Sequence, residues 1–223
     1  MFDALIKVGG SLCRRPNLPD LAVAWSELST RHRLLWLPGG GDFANQVRAA
    51  DGRFGLGDSA AHWMAILAME QTAHLLADLM PDAALVNSLP DAVAACANRR
   101  PAVLAPFVLL RQLDPLPHRW QVTSDSIAAW LAGFAGIPRL ILLKSVEGVF
   151  LAGAEGDPPK LAAQISPQAL PGYNIVDEDF AGNLPPNADC WLLDGSRPER
   201  LAQLLRNGSA IGTRITKNVK RKT

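Results

Sequence analysis

The run Leu5-Ile6-Lys7-Val8-Gly9-Gly10-Ser11-Leu12 decides how the rest of the chain is read. An apolar stretch holding one lysine breaks on two glycines. Continuous Leu/Ile/Val runs, without polar alternation, belong to strands buried on both faces of a helix-covered parallel sheet. The pattern returns at Leu34 to Leu37, followed by Pro38-Gly39-Gly40-Gly41-Asp42-Phe43. Further short apolar runs at Ala84 to Val86, Val103 to Ala105, Trp120 to Val122, Leu140 to Leu143 and Trp191 to Leu193 read as strands, with Phe107 to Leu110 as an extension or a separate short strand. Helical patterns lie between them at Leu21 to Leu28, Ala60 to Leu79, Ser126 to Ala135 and Pro198 to Arg206. Ser196 and Glu199 are spaced as a capping box for the last of these, and Asn207-Gly208 ends it. Strand-helix alternation implies an α/β three-layer sandwich with a mainly parallel central sheet.

The 223 residues suit one domain, at a prior of roughly 150 residues per domain. Apolar residues make up 48% and charged residues 19%, an ordinary globular balance. The net charge of +1 is uneven, because Arg214, Lys217, Lys220, Arg221 and Lys222 cluster at the end. The preceding body carries 17 basic against 21 acidic groups, or −4. Such a body lacks the positive surface that nucleic acid requires, and the basic tip reads as a solvated tail. Three cysteines, Cys13, Cys96 and Cys190, fit neither a disulfide framework nor a structural zinc site. The start of the chain does not read as a signal peptide, and no apolar run approaches the ~20 residues of a membrane span. A cytoplasmic protein is expected.

Gly9 and Gly10 after a strand expose backbone N–H groups that can form an anion nest, and Lys7 adds a charge suited to phosphate. Three consecutive glycines at Gly39 to Gly41 permit close backbone approach, with Asn45 and Arg48 following as polar groups for a substrate. Neither loop is a Walker A or dinucleotide motif. Asp125 sits in Val122-Thr123-Ser124-Asp125-Ser126, where a strand meets a helix. It can cap that helix, or orient lysine ammonium groups around phosphates. Leu140 to Phe150 is a buried strand breaking into a polar turn able to receive a nucleotide. By pattern alone Lys160, on the proline-stiffened Asp157-Pro158-Pro159-Lys160, faces solvent. His62 and His74 are twelve residues apart and form no close metal pair, and there is no His-Glu-x-x-His motif.

Assembled in order, Lys7-Val8-Gly9-Gly10-Ser11, Gly39-Gly40-Gly41, Thr123-Ser124-Asp125, Leu140 to Phe150 and Ile211-Gly212-Thr213-Arg214-Ile215 resemble the amino acid kinase superfamily. The resemblance implies a carbamate kinase-like fold with an acceptor lobe at about 1–119, a nucleotide lobe at about 120–215 and a basic tail at 216–223. It implies ATP, with Mg²⁺ carried mainly on its phosphates and no dedicated metal site. It implies that Lys7, Asp125 and Lys160 are catalytic, Lys160 being the second phosphate-binding lysine. Gly9, Gly10, Ser11, Lys144, Ser145, Glu147, Gly148, Val149 and Phe150 would hold the nucleotide. Gly39, Gly40, Gly41, Asn45, Arg48 and Ser124 would hold the acceptor.

Arg53-Phe54-Gly55-Leu56-Gly57-Asp58-Ser59-Ala60-Ala61-His62-Trp63-Met64-Ala65-Ile66-Leu67-Ala68-Met69 and Asp194-Gly195-Ser196-Arg197-Pro198-Glu199-Arg200-Leu201 resemble more narrowly the archaeal and methylotroph branch of methanofuran biosynthesis. That implies phosphorylation of the monoester [5-(aminomethyl)furan-3-yl]methyl phosphate to its diphosphate. The alternatives are a uridylate or amino-acid-type kinase, and a non-catalytic nucleotide sensor or anion-storage protein. Many relatives carry Thr-Asp where Lys144-Ser145 stands, and the acceptor loop lacks the histidine of isopentenyl phosphate kinases. The partner expected is a small-molecule phosphate acceptor, without nucleic acid or membrane. A homo-oligomer is expected through the Ala60 to Leu79 helix.

Overall fold

The apolar run that opens the chain becomes β1 (Ala4–Val8), every residue of which is buried. In this computed structural model, which describes residues 1–152 and 157–216, the chain then continues through α1 (Leu18–Ser29), β2 (Leu34–Pro38), α2 (Gly41–Phe54), α3 (Asp58–Leu79), β3 (Ala84–Val86), α4 (Leu89–Ala97), β4 (Ala102–Leu104) and α5 (Phe107–Leu113). The second half supplies α6 (Ser124–Phe134), β5 (Arg139–Lys144), β6 (Phe150–Leu151), β7 (Lys160–Leu161), β8 (Gln164–Ile165), α7 (Phe180–Asn183), β9 (Asp189–Asp194), α8 (Pro198–Asn207) and β10 (Thr213–Ile215). The basic tail expected at 216–223 lies, beyond Thr216, outside the described residues.

Eight strands form one sheet in the order β3-β4-β2-β1-β5-β9-β10-β8, parallel except for β10 against β9. β1 takes a central place because its partners flank it in near-perfect register. Lys7 sits opposite Leu37 of β2 and Leu142 of β5. The side chains alternate between two cores, as a two-residue strand period requires. Leu5, Leu35, Leu140 and Leu192 face a layer made by α4, α6 and the first half of α3. Ile6, Trp36, Ile141 and Leu193 face α1, α8 and the second half of α3. Trp25 stacks on Trp36 at 6.0 Å in this second core, and the Trp36 indole donates to Ser29 Oγ at 3.0 Å. The α/β sandwich expected from the sequence is the fold observed.

Several local expectations are corrected. Trp120 to Val122 is a turn rather than a strand. The Trp120 indole donates to Asp51 Oδ2 at 2.6 Å, which fixes the segment outside the sheet. Phe107 to Leu110 belongs to α5, whose first N–H is held by Glu70 at 2.9 Å. α6 starts at Ser124, two residues early, with Thr123 as its cap, so Asp125 lies inside the first turn and caps nothing. Ser196 does not close a capping box. Its backbone N–H and hydroxyl both donate to Asp194 Oδ1, leaving Arg197 at the cap position.

Candidate active site

The carboxyl ends of β1, β2 and β5 meet at one edge of the sheet, where ligands of parallel α/β proteins gather. The glycine pairs come together there by close packing. A side chain at Gly10 would put its first carbon 2.7 Å from the backbone N and Cα of Gly41, so only hydrogen fits. Gly39 donates to Val8 O at 2.8 Å, and Gly9 to Leu143 O at 2.8 Å. These bonds tie both loops to the strand ends. α2 begins at Gly41 and α6 at Ser124, and helix N-termini favour anions through their unpaired N–H groups and dipole.

Behind the loops lies a triad of charges. Asp125, buried at 4% exposure, accepts an ion pair from Lys7 Nζ at 2.9 Å and a hydrogen bond from Lys144 Nζ at 2.5 Å. Lys144 also donates to Ile175 O at 2.6 Å. Burial pushes the Asp125 carboxyl up, but the charges of Lys7 and Lys144 outweigh it and hold it below the usual aspartate range. Burial, followed by the charge of Lys7, brings Lys144 down to about 8 against the opposing pull of Asp125 and Asp177. With both lysines charged the triad carries +1, a fixed field suited to negative charge that builds up during phosphoryl transfer.

A cleft of about 640 Å³ opens in front of this triad, lined by Lys7, Gly10, Ser11, the Gly39 to Gly41 triplet, Asn45, Arg48, Ser124 and Asp125. Asn45 donates to Asp42 at 3.1 Å and accepts from Arg48 at 2.8 Å, so the three form a chain along α2. A second pocket adjoins the cleft and shares Gly40, Ala44, Arg48, Thr123 and Ser124 with it. Its remaining walls are mostly apolar, with Ile66, Met69, Trp120, Val122 and Ile127.

The proposed nucleotide-side residues divide in place. Ser145 and Ser11 hydroxyls lie 3.0 Å apart across the mouth of the two loops. Glu147 is held by Arg200 at 2.6 Å. Gly148 takes φ +157 beneath Thr213, whose Oγ1 lies 2.5 Å from where a side chain would begin. Val149 is fully buried in the core, and Phe150 is exposed. Lys160 is not brought to Asp125. It stands on the two-stranded β6–β7 hairpin with its side chain 74% exposed, 3.6 Å from Asp157. Lys144, the last residue of β5, instead lies on the strand neighbouring Lys7, and both lysines contact Asp125.

Sequence reasoning missed Arg14, which the 3₁₀ turn Leu12–Arg14 delivers to the cleft. It also missed Asp177. That carboxylate accepts from the backbone N–H groups of Thr123 and Ser126 and from both their hydroxyls, clasping the start of α6 and so fixing Asp125. The clasp joins residues more than fifty positions apart, and no local pattern announces it. Among the described residues, no group of three or more His, Cys, Asp or Glu side chains is arranged to hold a metal ion, and no helix is long and apolar enough to cross a membrane.

The chain is similar over nearly its full length to proteins of known kind. It is 28% identical over 214 residues to the [5-(aminomethyl)furan-3-yl]methyl phosphate kinase of Methanocaldococcus jannaschii, covering 95% of this chain and 96% of that one. It is 27% identical over 240 residues to the uridylate kinase of Methanospirillum hungatei, covering 99% and 97%. The solved uridylate kinase of Archaeoglobus fulgidus superposes with a TM-score of 0.72 at 21% identity, over 97% of this chain and all of that one. Residues 4–170 match the amino acid kinase family, a span that takes in Lys7, Asp125 and Lys144 and three quarters of the sequence, and the chain belongs to that family.

Proposed function

We propose that this ATP-dependent kinase passes the terminal phosphoryl group of ATP to the phosphate of a small monoester, giving a diphosphate and ADP. One observation carries the reading. Lys7, the Gly39 to Gly41 triplet and Asp125 line a single cleft, so two phosphate-bearing molecules can meet over one positive floor. The attacking phosphate oxygen is already unprotonated near neutrality, so the reaction needs alignment and charge neutralisation rather than a general base. In this reading the acceptor phosphate rests on the glycine triplet and the start of α2, and the ATP phosphates rest on Gly9, Gly10 and Ser11. Lys7 and Lys144 face the transferring group, and Asp125 keeps the two ammoniums in place. The only carboxylate among these cleft groups is taken up by two lysines. Mg²⁺ therefore enters as part of the MgATP substrate, neutralising phosphate charge.

Two acceptors fit the class. Uridylate is favoured by the relatives named for it and by the apolar pocket. Arg48 and His62 are the ionisable groups among the described residues lining that pocket, and none is acidic, so a ring without positive charge suits it. The furan ester carries an ammonium group, and rests on the relative that bears its name and on the resemblance at Arg53 to Met69. The deciding experiment offers ATP with UMP, [5-(aminomethyl)furan-3-yl]methyl phosphate, isopentenyl phosphate or N-acetylglutamate, following ADP release and diphosphate formation by phosphorus NMR. A ring monoester converted to its diphosphate, with at least a hundredfold loss in a folded K7A variant, supports the proposal. Preference for N-acetylglutamate points to an amino-acid-type kinase. ATP binding without turnover of any acceptor replaces the proposal with a nucleotide sensor.

A further inference from the structure

His62 stands on the second turn of α3 and lines the apolar pocket together with Ala65, Ile66 and Met69, the next residues on the same helical face. It is 7% exposed. The flat face of its ring stacks on His118 at 4.4 Å and 19°, and its edge meets Trp63 at 5.1 Å. The stack is itself braced. His118 is held between Ser59 Oγ at 2.8 Å and Asp114 Oδ1 at 2.7 Å, and the Arg111 guanidinium lies over Trp63 at 4.6 Å.

The ring is thus held at one face and one edge, and among the described residues its nitrogens make no protein hydrogen bond and are not closed off from solvent. A braced imidazole with accessible nitrogens in the pocket wall can hydrogen-bond a ligand that enters it. Burial and then the neighbouring His118 push His62 below the usual histidine range, against the pull of Asp114. The neutral ring offers one N–H donor and one lone pair.

We infer that His62 selects the acceptor: a phosphate monoester whose flat ring carries a hydrogen-bonding edge reaching the pocket while its phosphate rests in the adjoining cleft. This rests on the kinase reading above for the placement of the phosphate. It assigns the acceptor to heterocyclic monoesters and sets it against isoprenoid phosphates, whose hydrocarbon ends leave the imidazole unpaired. A site built to hydrogen-bond its substrate rejects analogues that lack the group.

The test compares wild type, H62F and H62N on UMP, the furan ester and isopentenyl phosphate, with ATP varied separately. The expected H62F result is a fall of about tenfold in kcat/KM for the preferred ring monoester, the scale of one lost hydrogen bond, arising in the acceptor KM. The KM for ATP stays unchanged, isopentenyl phosphate gains in relative preference, and H62N recovers part of the loss. Equal losses on ring and isoprenoid acceptors, or no loss, overturn the inference while leaving the kinase reading intact. A second measurement stands even if H62F fails to fold: the imidazole Cε1–H resonance of His62 in the wild-type protein, titrated with UMP and with the furan ester. A shift with either supports the inference, and a shift with neither overturns it. A wild type that binds these esters through His62 but releases no ADP overturns the kinase reading alone.

Discussion

Replacing Asp125 by asparagine keeps the shape of the side chain and removes its charge. The carboxylate is 4% exposed and touches two ammonium groups at 2.9 and 2.5 Å. Lys7 and Lys144 are themselves only 4% and 16% exposed at the side chain, so water cannot screen the two positive charges that remain. Breaking a buried ion pair from one side costs about 3–5 kcal/mol. For a chain of this size each kcal/mol moves the melting temperature by about 2–4 °C. D125N is therefore expected to melt about 6–20 °C below wild type at pH 7. The pH dependence carries a sign. The Asp125 carboxyl is lowered in the folded chain, so its contribution is present above the unfolded aspartate value and is lost as pH falls through the folded one. The gap between wild type and D125N should begin to close below about pH 4. Anions should act in the opposite direction, because the triad changes from +1 to +2. ADP or inorganic phosphate should raise the melting temperature of D125N more than that of wild type. Differential scanning calorimetry with and without ADP reads all three effects. A drop below about 2 °C at pH 7, or equal stabilisation of both proteins by ADP, would refute the idea that Asp125 holds two buried lysines together.

Three further perturbations follow from the same geometry. Lys144 is lowered to about 8 from 10.5, so it loses its charge as pH rises through about 8; kcat/KM for ATP should fall along that limb and K144M should flatten it. Over the same interval, up to 10.5, the unfolded chain holds the proton longer than the folded one, so wild-type stability should rise by about 3 kcal/mol relative to K144M in urea titrations. In G10A the new methyl would meet Gly41 backbone at 2.7 Å and spread the two loops; kcat/KM should drop about a hundredfold with a stability loss of about 1–3 kcal/mol, and near-normal kinetics would contradict the contact. K160A removes an exposed side chain and should leave stability within about 0.5 kcal/mol and turnover within about twofold; a hundredfold loss would return this lysine to the phosphates.

Much of the frame was legible because burial on both faces leaves a plain trace. β1, β2 and β5 are continuous apolar runs whose residues are almost all buried, and the glycine loops follow two of them directly. α2 left little trace, since Ala44 and Val47 are its buried residues among fourteen; its polar face lines the cleft instead of packing. Trp120 to Val122 resembled a strand because a pocket wall is as apolar as a strand. The α8 pattern was clear, but Asp194 captured the serine that sequence spacing had assigned to the cap. At the site, Lys7 and Asp125 stand out through what surrounds them. The choice between Lys144 and Lys160 does not, because it depends on which strand runs beside β1, a fact of sheet order that no local window contains.

That order has a consequence for how such a chain can diverge. The triplet and its helices hang from the β2 flank of β1, while Lys144 and the turn after it hang from the β5 flank. β1 and the start of α6 join the two, since Ser124 lines both the cleft and the apolar pocket and Asp125 holds both Lys7 and Lys144. Substitutions at Ala65, Ile66 and Met69, the α3 wall of the apolar pocket, fall on the β2 side of that seam, away from Lys144. On the proposed reading, a lineage can thus acquire a new client through α3 while its grip on the energy donor is inherited unchanged.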